Sequence, residues 1–378
     1  MIEIHEPRHG AILNRKHGRE DATGLEVVIT GCADPAQEVW VNGRPAERAG
    51  LQFSATVRLT QRENEIRAET RTVRGVQTQA IRVLWDRRSF KRYRFFIDDH
   101  VFFLEDIVRQ QYRSLFDCFY LKRLREFHAA YGTKVVLNLF FRNDHGDSRF
   151  EITQMPDRYR GEWRDHADWL KLSFHAHSEF PDRPYAYCSA AKLAHDYDAV
   201  QEQVARFAGA ESFCPPIVIH WAVVQPACFK VLTDRGVRTL SGQFRVGQQS
   251  VEAQSDAERF YATGDIGYFL DTERSLYLAE RRVIHDFGHG ITFMIGDVCC
   301  NRYTVEQARE FMAPRFADEL NNELVGLASH EQYTFPFYRN YLPDHFDRMD
   351  DVLRAVTEHG YAPVWFHEGL LGNRAWEE

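Results

Sequence analysis

The stretch Arg94-Phe95-Phe96-Ile97-Asp98-Asp99-His100 sets a short apolar run directly against two adjacent carboxylates and an imidazole. The apolar part reads as a buried strand. The next segment has a different period: Leu104, Ile107, Tyr112, Leu115, Phe119, Leu124 and Phe127 recur at helical spacing and stop at Gly132. The alternation then repeats. Residues 134–141, 169–174, 217–221, 237–240, 291–295, 323–328 and 361–366 read as further strands, and 190–207, 227–235 and 346–359 as helices. Thr304 with Gln307 closes a capping box ahead of one more helix. Strands separated mostly by helices predict an α/β domain over 89–378, a (β/α) barrel of seven or eight parallel strands. The tract 243–287 is polar and Gly-punctuated, and is expected to be an insertion over the barrel mouth.

Upstream the period is two, as in Leu25–Ile29, Glu38–Val41, Phe53–Leu59 and Ala80–Trp85, with Asn42-Gly43 as a turn. That pattern predicts a small all-β sandwich over 1–88. Its Pro7-x-x-Gly10 start, the Val41-Asn42-Gly43 turn and Asn64-x-Ile66 resemble immunoglobulin-like modules found beside bacterial carbohydrate enzymes. No catalytic spacing occurs there, so an accessory role in packing or spacing is expected.

Composition bounds the function. At 378 residues the chain is long enough for about two domains. It carries 47 Lys and Arg against 55 Asp and Glu, a net charge of −8, with no basic block, so nucleic-acid binding is not expected. No apolar run is long enough for a transmembrane helix, and no secretory signal is expected at the N-terminus. Seven scattered cysteines without a C-x-x-C pair read as reduced, which points to the cytoplasm; Cys299-Cys300 is expected to be packed. Aromatics make up 13% of the chain, more than a core requires, and suit a cavity for ring-shaped ligands such as sugars. Assembly into a homo-oligomer is compatible with this composition.

In a parallel barrel the side chains just past the strand ends converge on one face. Those positions hold Asp98-Asp99-His100, His175-Ala176-His177-Ser178-Glu179, His220, Asp297 and His330-Glu331. Two adjacent carboxylates after an apolar strand need a positive partner, and a divalent ion meets that need. One Asp can then ligate while its neighbour acts as a general base on water. His175 and Glu179, four apart, face one point if a helical turn intervenes; His177 competes with Glu179 if the segment stays extended. An imidazole and carboxylate set suits Zn, Fe, Mn, Co or Ni.

Phe96-Ile97-Asp98-Asp99, the strand ending in His175, Leu327-Ala328-Ser329-His330, and the closing His359-Gly360-Tyr361 with Glu368-Gly369-Leu370 resemble, in order, the motifs of NodB-type polysaccharide deacetylases. The resemblance covers roughly residues 94–371. It implies a distorted (β/α) barrel and a metal held by Asp, His and His, with a neighbouring Asp as base and a late His as acid. It also implies hydrolysis of an N- or O-acyl group on a carbohydrate. Carried over, Asp98 is the base, His330 the acid, and Asp99 and His175 ligands. The chain departs from the pattern at His100, where the family has Gly, and at Glu179, where it has His. It departs again at His220-Trp221, where the family has Arg-x-Pro-Tyr; Arg183-Pro184-Tyr185 is a substitute. Glu179 is the expected third ligand, and His220, Asp297 and Arg183 are expected to bind substrate. Two alternatives stand beside this reading: a glycoside hydrolase or lyase using Asp297 and Glu331 as paired carboxylates, or a catalytically inactive carbohydrate-binding barrel.

Overall fold

The computed structural model describes residues 2–72, 75–242, 244 and 267–377. It is a mixed α/β structure with several sheets and eight α-helices among the described residues. Contacts divide the chain into two compact units: residues 1–90, 283–292 and 373–378, and residues 91–282 and 293–372.

The first unit holds two largely antiparallel five-stranded sheets. One runs Ile2–Glu6, Gly24–Ala33, Gln52–Leu59, Glu47–Ala49, with Gly18–Asp21 paired to Gly24–Ala33. The other runs Ile12–Leu13, Gly75–Trp85, Glu63–Thr72, Val39–Val41, Arg44–Pro45. Period-two alternation buries Leu25, Val27 and Ile29 in the first sheet and Ile66, Ala68, Ile81 and Val83 in the second. Asn42 and Gly43 take φ of 47° and 77°, the two positive values that a tight hairpin between Val39–Val41 and Arg44–Pro45 requires. The unit also gathers distant segments. Trp376 meets Trp85 edge to face at 5.2 Å, Asn373 Nδ2 donates to Asp86 Oδ1, and His285 N donates to Gly10 O.

The second unit is built on a six-stranded parallel sheet. Its order is Leu170–Ala176, Val135–Phe140, Arg92–His100, Leu324–His330, Val298–Cys299, with Ala362–Pro363 also paired to Arg92–His100. The Arg92–His100 strand is buried along its whole length, as a central parallel strand should be. Some elements differ from expectation. The helical run after His100 is broken in two, because Gln111 adopts φ 51° and Ser114 starts a new capped turn; the helices are Phe102–Gln110 and Phe119–Tyr131. Residues 217–221 form no full strand. Instead Phe213 bridges Leu172 in parallel, Ile217 O accepts from Ser241 N, and the chain turns at His220–Ala222. The tail strand shrinks to Ala362–Pro363. Of the expected insertion, 243 and 245–266 lie outside the described residues, while 267–287 include the helix Thr272–Arg281 and the strand Val283–Asp286. All seven cysteines are free, and no described helix is long and apolar enough to cross a membrane.

Candidate metal centre

Two strand ends and one turn deliver the site. Successive residues of a strand point to opposite faces, so Asp98 and Asp99 should diverge. Here both line one cavity, because the ladder shifts register between Ile97 and His100 and Asp99 takes φ 63°. A non-glycine residue held in the left-handed region costs of order 1 kcal/mol or more, and such strain gathers at functional sites. His175 lies near the end of Leu170–Ala176. His220 arrives on the ribbon beside that strand, just before Trp221 and Ala222, themselves at φ 62° and 49°.

These segments bring Asp99 Oδ1, His175 Nε2 and His220 Nδ1 together. The separations are 3.1 Å from Asp99 to His175, 3.1 Å from His175 to His220 and 3.4 Å from His220 to Asp99. All three residues are buried and form a group able to hold a metal ion. Ligand atoms roughly 2.0–2.1 Å from a tetrahedral ion stand about 3.3–3.4 Å from one another, close to the spacing seen. Tautomers agree with that. His220 Nε2 lies 3.2 Å from the Glu179 carbonyl, which fixes the proton there and turns the Nδ1 lone pair inward. His175 Nδ1 is buried without a hydrogen-bond partner, 3.8 Å from Asp98 Oδ1. Burial would raise the Asp99 pKa, but His330 and the bonds from His175 and His220 outweigh it and hold the group well below the usual carboxylate range.

Asp98 stands beside this cluster with Oδ1 accepting from Asn138 Nδ2 at 2.6 Å. Burial, with Asp99 adding, raises its pKa against the pull of His175 and His330. His330 Nε2 is 3.8 Å from Asp99 Oδ2, and its Nδ1 meets Asn301 Oδ1 at 2.8 Å and Cys299 Sγ at 3.5 Å. Burial disfavours its charge, yet Cys299, Asp99 and Asp98 hold its pKa well above the usual value. Around these groups lies a cavity of about 340 Å³, lined also by Phe96, Trp221, Tyr333 and Tyr338.

Other expected residues go elsewhere. Glu179 was expected as third ligand, but no helical turn follows His175; its Oε2 accepts from Gln332 Nε2 at 2.8 Å and lies 3.6 Å from His145 Nε2. His177 stacks on Phe141 at 5.0 Å, outside the cluster. His220, expected to contact substrate, lines the cavity and is the third member of the donor cluster. Asp297 lines the cavity, yet its carboxylate is engaged by Arg282 and by Gly326 N at 2.8 Å. Arg183 lies over the Trp221 ring, 4.8 Å from its centroid.

Glu331 is committed to structure. Its carboxylate accepts from Val101, Phe102 and Phe103 N at 2.7, 2.9 and 2.6 Å, capping the helix Phe102–Gln110. Burial pushes its pKa up to about 8 against those three bonds. With Asp297 and Glu331 both occupied, the paired-carboxylate arrangement of a glycosidase is not assembled. Cys299 is not merely packed, since it touches His330. Sequence reasoning missed Asn138, Asn301 and Arg94. Asn138 carried a signal, a lone polar residue inside an apolar buried strand, and Arg94 a weaker one, a charged residue in a strand buried along its whole length.

No family model matches the chain, and no curated protein matches it. Among solved structures it aligns with a crystal structure from Bacteroides fragilis, named as a candidate alpha-galactosidase, at 11% identity and a TM-score of 0.26. The alignment covers 94% of this chain and 78% of that one, a likeness too slight to bear on fold or function.

Proposed function

We propose that Asp99, His175 and His220 hold a divalent metal ion, zinc fitting the donor set best, and that the chain hydrolyses an N- or O-acyl group on a carbohydrate. The observation that carries this is the convergence of one carboxylate oxygen and two imidazole nitrogens within 3.1–3.4 Å, with an orphaned buried nitrogen alongside. A bound ion would supply Lewis acidity, which polarises an acyl oxygen and makes water more acidic.

The chain's own groups supply the proton transfers. Asn138 holds Asp98 Oδ1, which leaves Oδ2 to take a proton from the attacking water. Asn301 holds His330 Nδ1, so Nε2 is the atom that donates to the departing amine or alcohol. The aromatic rings of Trp221, Tyr333 and Tyr338 offer apolar faces for a sugar. One carboxylate and two imidazoles also make up the donor set that the resemblance to polysaccharide deacetylases implies. On this reading the parallel sheet is part of a distorted barrel, and the two sheets of the first unit are an immunoglobulin-like accessory module.

The test is elemental analysis of the purified protein, combined with measurement of acid released from acylated amino sugars. One transition-metal ion per chain, lost in Asp99→Asn, His175→Ala and His220→Ala but kept in Glu179→Gln, is the expected result. Full occupancy in the first three variants would overturn the assignment.

A further inference from the structure

Arg94 is a charge that the proposed hydrolysis does not use. It lies on the same strand as Asp98 and four residues before it, so its backbone sits roughly 13 Å deeper, with the side chain on the same face. Both line the same cavity. The residue is 3% exposed, which for a guanidinium demands a counter-charge or full hydrogen bonding. Neither is present. Nη1 donates to Leu327 O at 3.0 Å and Nη2 donates to Ser241 Oγ, while Nε is buried without a partner. Among the described residues no carboxylate pairs with it. Asp297, the acid nearest in role, is already engaged by Arg282 and by Gly326 N. Two of five N–H donors are therefore assigned and three remain.

The position is built rather than incidental. Gly326 is the register partner of Arg94 on the neighbouring strand. A Cβ at residue 326 would stand 2.9 Å from Nη2 and 3.1 Å from Cζ, so the bare glycine is what lets the guanidinium lie there. Phe96 covers one face, its ring centroid 4.2 Å from Cζ. Arg302 and Arg339 line the same cavity.

We infer that the carbohydrate bound in this cavity is anionic, a sugar bearing a carboxylate, with Arg94 receiving that carboxylate while the acyl group lies at Asp99, His175 and His220. A uronic acid unit acylated on an amino or hydroxyl group has this form, since its carboxylate and its acyl group project from different ring carbons. Ser241 assists, because its hydroxyl accepts from Arg94 and still has its own proton to donate. Which bond is cut rests on the proposed hydrolysis; the preference for an anion does not.

Binding of glucuronate and of glucose, compared by calorimetry or ligand-observed magnetic resonance, separates the two. The wild-type chain is expected to bind glucuronate at least 10-fold more tightly than glucose. Arg94→Met, of similar length but uncharged, is expected to erase that ratio while leaving glucose binding within about 2-fold. Equal binding of both sugars by the wild type, or a ratio that survives in Arg94→Met, overturns the inference. Should Arg94→Met not fold, Gly326→Ala answers the same question, because its methyl displaces the guanidinium without removing it; a shrunken ratio supports the inference and an unchanged one sinks it. Failure to release acid from any acylated sugar would defeat the hydrolase reading and leave the glucuronate ratio standing.

Discussion

Asp98-Asp99 and Asp297 with Glu331 are two sets of buried acids carried by one parallel sheet and its connections, and they differ in how far their lone pairs are already used. Glu331 has three backbone N–H partners at 2.6–2.9 Å, and Asp297 has two guanidinium groups, of Arg282 and Arg315, and a backbone N–H. Their lone pairs are spent on holding the fold. Asp99 instead faces two imidazole nitrogens at 3.1 and 3.4 Å, and Asp98 has one oxygen tied to Asn138 and the other uncommitted. Glu331 shares its strand-end position with Asp98 and Asp99, whereas Asp297 lies level with Gly326, just ahead of Val298–Cys299. What separates a structural acid from a reactive one is whether its hydrogen-bonding capacity is already used.

Variants can break that distinction. The largest effect is expected at the cluster: His220→Ala should remove the metal and lower turnover by about 10³-fold or more, whereas Glu179→Gln should keep the metal. Elemental analysis beside an assay of acid release checks both. Next comes Asp98→Asn, expected to keep the metal and lower kcat by roughly 10²–10⁴-fold, the usual worth of a general base. Loss of metal in that variant would make Asp98 a ligand.

Glu331→Gln should do the reverse. It sets an amide against one or more backbone donors and is expected to cost about 1–3 kcal/mol of stability, with metal content and kcat little changed. Chemical denaturation reads the first and elemental analysis the second. A collapse of kcat at unchanged stability would erase the contrast between the two sets of acids. The smallest effect concerns His345, buried beneath His330, with Nε2 bonded to Ser329 Oγ at 2.8 Å. Burial lowers its pKa to about 4. A base depressed in the folded state is protonated first in the unfolded chain, so its contribution is intact above about pH 6.5 and is lost as pH falls toward 4. Stability should drop there by up to about 1.4 kcal/mol per pH unit from this group, and His345→Gln should flatten the slope.

The sequence made the parallel α/β region and the strand-end cluster legible for the same reason. A central parallel strand must be apolar on both faces, so Arg94–Ile97 and Val135–Phe140 announce themselves, and polar residues after them stand out. Asp98, Asp99, His175 and His330 were singled out this way, and all four line one cavity. Glu179 was singled out beside them because its spacing from His175 presumes a helical turn, whereas the donor cluster has His220 in that place. The chain bends irregularly there, and His220, forty-five residues on, reaches the same point through a tertiary bridge that no local pattern encodes. Asn138 and Arg94 were overlooked for a related reason. A polar residue inside an apolar strand is visible, but its meaning depends on what lies across the sheet.

Gly326 bears on how selectivity could drift in such a cavity. The residue has no side chain with which to meet a ligand, and its Cβ position is crowded mainly by the movable end of Arg94. Adding a single methyl there would leave the ladder intact and push the charge aside. Recognition of an acidic sugar would thus be adjustable from the neighbouring strand, by a change that alters neither the proposed reacting groups nor the cavity's other lining side chains. Engineers seeking to redirect this protein toward neutral sugars would find their first handle at a position that looks, by itself, like plain backbone.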